Sequence, residues 1–436
     1  MKTKENWRKQ PAVNIITLGC SKNLYDSETL AGQLEKQGRE VSHEGHGNIV
    51  VVNTCGFIGD AKEQSVNAIL EQVERKRRGE IDRLYVSGCL SQRYMDELRG
   101  ELPEVDGFYG VNDMKAILAV LGADYKKELA GERLLSTPRH YAYLKISEGC
   151  DRACSYCAIP LIRGKHISRP VEELTEEARI LASKGVKELI LIAQDLTYYG
   201  MDLYGRRRLA DLVRGIAEVD GIEWIRLHYA YPNGFPEDVL EVMASEPKVC
   251  KYLDIPLQHI SDRILKSMKR GSTKEQINAL LDKIREKVPG VALRTTLIVG
   301  YPGETPEEFE ELKAWVREQR FDRMGCFAYS EEEGTSAAQL EDDVPDEEKQ
   351  RRVEELMEVQ REISLQKNEE KVGKTLRVLI DTEQPDVYIG RTEYDSPEVD
   401  NDVFIDREKY RVPTGGFVKV EVTSAGVYDL FGIPVP

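Results

Sequence analysis

Residues 145–160 read KISEGCDRACSYCAIP and place three cysteines, Cys150, Cys154 and Cys157, within eight residues. Four thiols so close would close a zinc or iron–sulfur site, and two would make a redox pair. Three leave one coordination position open, which is the arrangement of a reactive rather than a structural centre. The stretch continues an apolar run, YAYLKIS, and five more runs follow it: ELILIAQD, WIRLHYA, YLDIPLQH, ALRTTLIVGYPGE and RMGCFAYS. Helical patterns such as VEELTEEARILASKG and TPEEFEELKAWVREQ lie between them. A strand roughly every 30 to 45 residues is the spacing of βα units. Six units predict a parallel sheet curved toward a barrel but short of eight, with its site in the loops after the strands. Gln194, Asp195, His228, Gln258, His259 and Gly300 stand at or near those strand ends.

A second set of cysteines precedes this region. Cys20 closes VNIITLGC, Cys55 closes NIVVVNTC and Cys89 closes RLYVSGC, at separations of 35 and 34 residues. Each run reads as a buried strand of a parallel sheet, and the helical stretches SETLAGQLEKQG and AKEQSVNAILEQVERKRRG separate them. All three thiols then emerge at the carboxyl edge, where open parallel sheets bind ligands. No zinc spacing fits them, and thiolates converging from three strands suit an iron–sulfur cluster. For the later triplet, His166 is the one candidate fourth zinc ligand; with no second two-ligand knuckle it reads as an exposed loop histidine. Cys250 and Cys326, in KVCKYL and MGCFAY, read as inert packing.

The chain has 436 residues and 41% hydrophobic composition, enough for two or three domains. No window approaches a membrane span, and the charged start MKTKENWRKQPAV lacks the apolar core of a secretory signal. A cytoplasmic location is expected, where clustered cysteines point to metal or catalysis before disulfides. With 61 basic and 77 acidic residues the formal charge is -16. That is unfavourable on average for phosphate backbones.

Cysteines spaced by three and then two residues after a first barrel strand resemble the radical S-adenosylmethionine (SAM) superfamily. DSETLAGQL, NTCGFI, SGCLSQRY, EGCDRACSYCAIP, DIPLQH and VGYPGETPEEFEELK narrow the likeness to the methylthiotransferase family. The implied fold is α/β multidomain. It has an N-terminal open parallel α/β sheet (11–125), a central partial (βα)6 radical SAM barrel (136–367) and a small C-terminal antiparallel β-barrel of TRAM type (368–436). The resemblance implies two [4Fe-4S] clusters and SAM. Cys150, Cys154 and Cys157 would hold the SAM-cleaving cluster, and Cys20, Cys55 and Cys89 an auxiliary cluster that carries the sulfur. Gln194, Arg226, Gln258 and Gly300 are candidate SAM contacts by strand-end position. The radical chemistry would be cluster-borne, so no side chain is singled out as catalytic.

Two branches of that family differ in substrate, one acting on an adenosine of transfer RNA and the other on an aspartate of small-subunit ribosomal protein twelve. LGCSKNLYDSE, LIAQDLTYYG and CAIPLIRGKHISR are similar to the ribosomal-protein branch, although Leu196 replaces its usual threonine after AQD. The tail from Lys371 carries eight basic and twelve acidic residues, with the acids concentrated in RTEYDSPEVDNDVFIDRE. Such a surface is expected to repel RNA and attract a basic ribosomal protein, which makes transfer RNA an unlikely partner. The acidic run EEEGTSAAQLEDDVPDEE reads as a solvated lead into a long helix, with attraction of the basic substrate as a further role. An electron donor and a sulfur source are the other partners the reaction would need. A transfer-RNA methylthiotransferase and a non-catalytic two-cluster electron carrier are the alternatives.

Overall fold

The structure is a computed structural model that describes residues 12–436 apart from 44, 46 and 130. The charged stretch through residue 11, including the first residue of the expected 11–125 domain, lies outside the described residues. The chain divides into two compact units, one of residues up to Ser136 together with Ala158–Gly164, the other of Thr137–Cys157 and Lys165–Pro436.

In the first unit a five-stranded parallel sheet runs in the order Val41–Ser42, Val13–Thr17, Ile49–Thr54, Arg83–Gly88, Gly107–Phe108. Its middle strand is buried throughout, because apolar layers cover both faces of a parallel sheet. Val51 packs with Val13, Ile15 and Leu30 on one side, while Val50 and Val52 pack with Leu84, Val86 and Ile69 on the other. The two edge strands are two residues long and leave no periodic signature in the sequence. The first helix, Ser21–Glu35, starts directly after Cys20, earlier than its apolar pattern suggests.

The second unit holds six parallel strands in sequence order: Tyr141–Lys145, Glu188–Ile192, Trp224–Leu227, Val249–Asp254, Ala292–Val299 and Arg323–Ala328. Two of its helices, Lys274–Lys287 and Pro306–Gln319, begin at Thr273 and Thr305 with complete capping boxes. The long helix Asp346–Glu369 leads into a closed five-stranded barrel. That barrel is antiparallel except where Asp402–Asp406 pairs in parallel with Asp429–Val435. At the start of the long helix Asp342 meets Lys349 at 2.6 Å and Glu348 pairs with Arg351 and Arg352, while Glu331, Glu333, Glu341, Asp343, Asp346 and Glu347 are exposed, as a solvated lead into the helix requires.

The acidic loop of the C-terminal barrel narrows the charge argument. Two of its carboxylates, Asp395 and Asp400, are buried against arginines of the six-stranded sheet, whereas Glu398 and Glu408 stay exposed. Asp395 takes Arg323 Nε at 3.0 Å, Asp400 accepts from Tyr252 at 2.8 Å, and Ser396 bonds His228 at 2.9 Å. Glu188, with no exposed surface, receives Arg226 at 2.8 Å and Arg391 at 2.7 Å, and Arg391 also binds Asp381. Burial pushes the Glu188 carboxyl up, but the two guanidinium groups outweigh it and hold the pKa below the usual value. A group so depressed contributes stability at neutral pH, lost only as pH falls through its folded value. Glu188→Ala leaves two buried cations short of a partner, so urea unfolding at pH 7 should show a loss of about 3–5 kcal/mol.

Candidate functional site

Three strand ends of the first unit bring Cys20, Cys55 and Cys89 to one corner. Cys55 follows Ile49–Thr54 directly, Cys89 opens the helix after Arg83–Gly88, and Cys20 precedes Ser21–Glu35. Gly19 makes the close approach possible: at φ +88°, a Cβ there would stand 2.6 Å from Cys55 Cβ and 2.8 Å from its Sγ. Asn23, missed in the sequence, ties the loops together. Its amide donates to the carbonyls of Leu18 and Thr54, each at 2.9 Å, and its Oδ1 lies 3.7 Å from Cys89 Sγ. A buried polar side chain that bonds two loop backbones fixes where both thiols point.

Burial raises the Cys55 thiol, and the Cys20 charge adds to that rise. Burial also lifts Cys89 to about 11, against the opposing pull of Arg163. Three thiols gathered at one corner beside the Arg163 cation fit a thiolate-bound cluster, whose negative charge the cation would offset. Among the described residues no three His, Cys, Asp or Glu side chains are arranged to hold a single metal ion. A cluster of several irons, each bound by its own cysteine, does not need its ligands to converge on one atom.

The second cysteine set lies in the loop after Tyr141–Lys145. Burial raises Cys150 to about 11. Cys154 Sγ lies 3.4 Å from Arg270 Nη1 and 3.8 Å from Tyr231 Oη. Arg152 is drawn to the end of the second strand by Asp195, at 2.8 Å, while Asp195 also caps Thr197. The guanidinium groups of Arg152 and Arg270 lie 4.1 and 4.2 Å from the Tyr231 ring. Arg152, Tyr231 and Arg270 escaped sequence reading, since arginine and tyrosine in loops carry no spacing signal.

Of the residues expected to meet SAM, Gln194 lies beside this loop. It donates to Glu148 Oε1 at 2.9 Å, while its own Oε1 is buried without a partner. Gln258 holds φ +74° with its backbone bonded to Thr296 and Ile298, and its amide oxygen is likewise unpartnered and buried. Gly300, at φ +69°, donates its N–H to Glu304, and a Cβ there would meet Lys349 Cγ at 2.2 Å. Two buried amide oxygens without partners are the acceptors a polar ligand would satisfy.

Arg226 does not join them. It shares a strand face with Trp224, and its guanidinium is fully buried against Glu188 and the Glu393 carbonyl, at 2.8 and 2.7 Å. His228 likewise turns to Ser396 rather than to the cysteine loop. His166, expected to be exposed, is 4% exposed; its ring bonds Ser168 at 3.0 Å, and burial lowers its pKa. Cys250 and Cys326 are buried strand residues, as their apolar context suggests.

A six-stranded parallel sheet with a three-cysteine loop after its first strand defines a radical SAM protein, and the superfamily model matches residues 144–316. Membership of that superfamily implies SAM and a [4Fe-4S] cluster. The uncharacterised protein family UPF0004 matches residues 12–110, and the TRAM domain matches residues 372–435. Among solved structures, the radical SAM methyltransferase TsrM from Kitasatospora setae aligns at TM-score 0.54 and 18% identity, over 73% of this chain and 74% of that one. The cobalamin-dependent SAM radical enzyme OxsB aligns at 0.52 and 12%, over 81% and 56%. These two share the fold.

Curated relatives named ribosomal protein uS12 methylthiotransferase RimO are far nearer in sequence. That of Flavobacterium psychrophilum is 60% identical over 98% of both chains. That of Cytophaga hutchinsonii is 54% identical over 99% of both, and that of Bacteroides thetaiotaomicron is 56% identical over 97% of this chain and 98% of its own. The chain belongs to the RimO methylthiotransferase family.

The raised Cys55 and Cys89 thiols would have to lose their protons to bind iron, so iron affinity at this corner would rise with pH. In a variant with Cys150, Cys154 and Cys157 all changed to alanine, iron loading at Cys20, Cys55 and Cys89 should rise steadily from pH 7 to pH 9. Iron content after anaerobic reconstitution measures it.

Proposed function

We propose that this enzyme attaches a methylthio group to the β-carbon of an aspartate in small-subunit ribosomal protein uS12. The reading is carried by its likeness to RimO enzymes along nearly the whole chain, 54% to 60% identical in the relatives above. Two separate three-cysteine corners support it, since each leaves one coordination position for a reactant. Cys150, Cys154 and Cys157 hold the cluster that binds SAM, and Cys20, Cys55 and Cys89 hold a second [4Fe-4S] cluster. The domain division 11–125, 136–367 and 368–436 belongs to the same reading.

When bound, these groups supply the radical that removes an unactivated hydrogen and the sulfur that replaces it. The chain supplies placement. Asp195 holds Arg152 over the Tyr231 ring, and Arg270, beyond the helix Asp262–Ser267, directs a donor at Cys154, so the thiol loop is held by segments that follow three later strands. Gln194 and Gln258 offer their unpartnered amide oxygens to the polar groups of SAM. Gly300 shapes the same strand edge, and Arg226 has no part in it. Such preorganisation is what a reactive radical requires, because a misplaced intermediate is quenched.

An electron donor and a sulfur source complete the reaction from outside the chain. Among the described residues no helix is long and apolar enough to cross a membrane, and the cytoplasm, where ribosomal proteins are made, is the proposed location. Transfer RNA is not favoured as substrate, although Asp395 and Asp400, being internal, add nothing to a repelling surface.

The test is an anaerobic assay of reconstituted enzyme with SAM, sulfide and reductant, offered uS12 or unmodified transfer RNA and read by mass spectrometry. A methylthio mass gain on an aspartate peptide is expected; a gain on adenosine instead would sink the substrate assignment. Cys154→Ala should abolish SAM cleavage, whereas Cys55→Ala should retain cleavage and stop sulfur transfer.

A further inference from the structure

Six residues beyond Cys157, the chain places an arginine in the first unit. The segment Ala158–Gly164 packs there, with Ala158 and Ile162 forming an apolar cluster around Cys89. Pro160 lies in the first turn of the short helix Ile159–Arg163, which Arg163 ends. Arg163 is 3% exposed. Its Nη1 donates to Asp26 at 3.1 Å, and its Nη2 reaches Asn23 Oδ1 at 2.6 Å and Cys89 Sγ at 3.6 Å.

Asn23 is the side chain that bonds the backbones before Cys20 and Cys55. The Arg163–Asn23 pair therefore touches all three cysteine-bearing loops, and it brings one positive charge to a corner where three thiolates would gather. A guanidinium retained for pairing alone gains most from carboxylates; this one also turns a donor toward sulfur. Hydrogen bonds to cluster sulfurs and nearby charge are what set an iron–sulfur potential.

We propose that Arg163 is a positioning residue of the N-terminal cluster. It donates to the Cys89 sulfur and offsets the cluster's negative charge, which makes the cluster easier to reduce. The inference rests on the reading that Cys20, Cys55 and Cys89 hold a cluster, and the experiment separates the two.

The parent protein carries Cys150→Ala, Cys154→Ala and Cys157→Ala, so only the N-terminal site can load. Iron and sulfide are counted after anaerobic reconstitution, and the potential is read by a dye-mediated redox titration. Arg163→Gln keeps a donor for Asn23 and removes the charge. It should load iron as the parent does, with the reduction equilibrium about tenfold less favourable, or about 59 mV more negative for a one-electron couple. Arg163→Lys keeps the charge and should stay closer to the parent. Full loading of Arg163→Gln at the parent potential overturns the proposal. Should Arg163→Gln fail to load, Arg163→Lys decides: iron uptake restored by the charge supports the proposal, and no uptake overturns it. A parent that binds no iron overturns the cluster reading itself, and the proposal with it.

Discussion

When every strand of a sheet runs the same way, the C-terminal end of every strand is delivered to one edge. Both cysteine sets depend on this. In the first unit it gathers Cys20, Cys55 and Cys89, which are 35 and 34 residues apart in sequence. In the second it brings Asp195, Tyr231 and Arg270, which lie beyond three different strands, to the loop that carries Cys150, Cys154 and Cys157. The close approaches then need particular residues. Gly19 removes a Cβ that would press on Cys55, and Asn23 replaces backbone pairing that the loops cannot provide for themselves.

The C-terminal barrel contributes in a different way. Its loop through Asp395, Ser396 and Asp400 is inserted against the six-stranded sheet, and the charges on each side are paired. Pairing at this depth is costly to break and weak as a net source of stability. Its consequence is orientation: Glu188, Arg226, Arg391 and Asp381 make one network that only a single docking arrangement satisfies. The net charge of a domain thus overstates its acidic surface where some of its carboxylates, here Asp395 and Asp400, are internal. Asp395, with no exposed surface, counted toward an attractive face in the sequence and contributes nothing to one in the fold.

The fold class was largely legible, because apolar runs such as IVVVNT and ELILI are long enough to mark buried strands and the helices between them are periodic. Two-residue edge strands such as Val41–Ser42 had no such mark. The places of Cys20, Cys55 and Cys89 at strand ends, and of Gln194 and Gln258 after strands, were legible. Arg152, Arg163 and Tyr231 were not, since their roles come from contacts between elements remote in sequence. The parallel strand pair in the C-terminal barrel depends on how that barrel closes, which alternation within one strand does not encode.

Two arginines show what decides such cases. Arg226 was placed at the reactive edge because it stands near a strand's end, yet side chains alternate along a strand. Trp224, two residues earlier, packs its ring 4.7 Å from that of Phe417, so the strand face that carries Arg226 is the one covered by the C-terminal barrel. Arg163 belongs to no strand. It closes a helix whose Ile162 is buried beside Cys89, and burial of that apolar neighbour carries the guanidinium to the thiol. Nearness to a strand end in sequence is therefore weaker evidence for a site than the direction in which the adjoining apolar residues are buried.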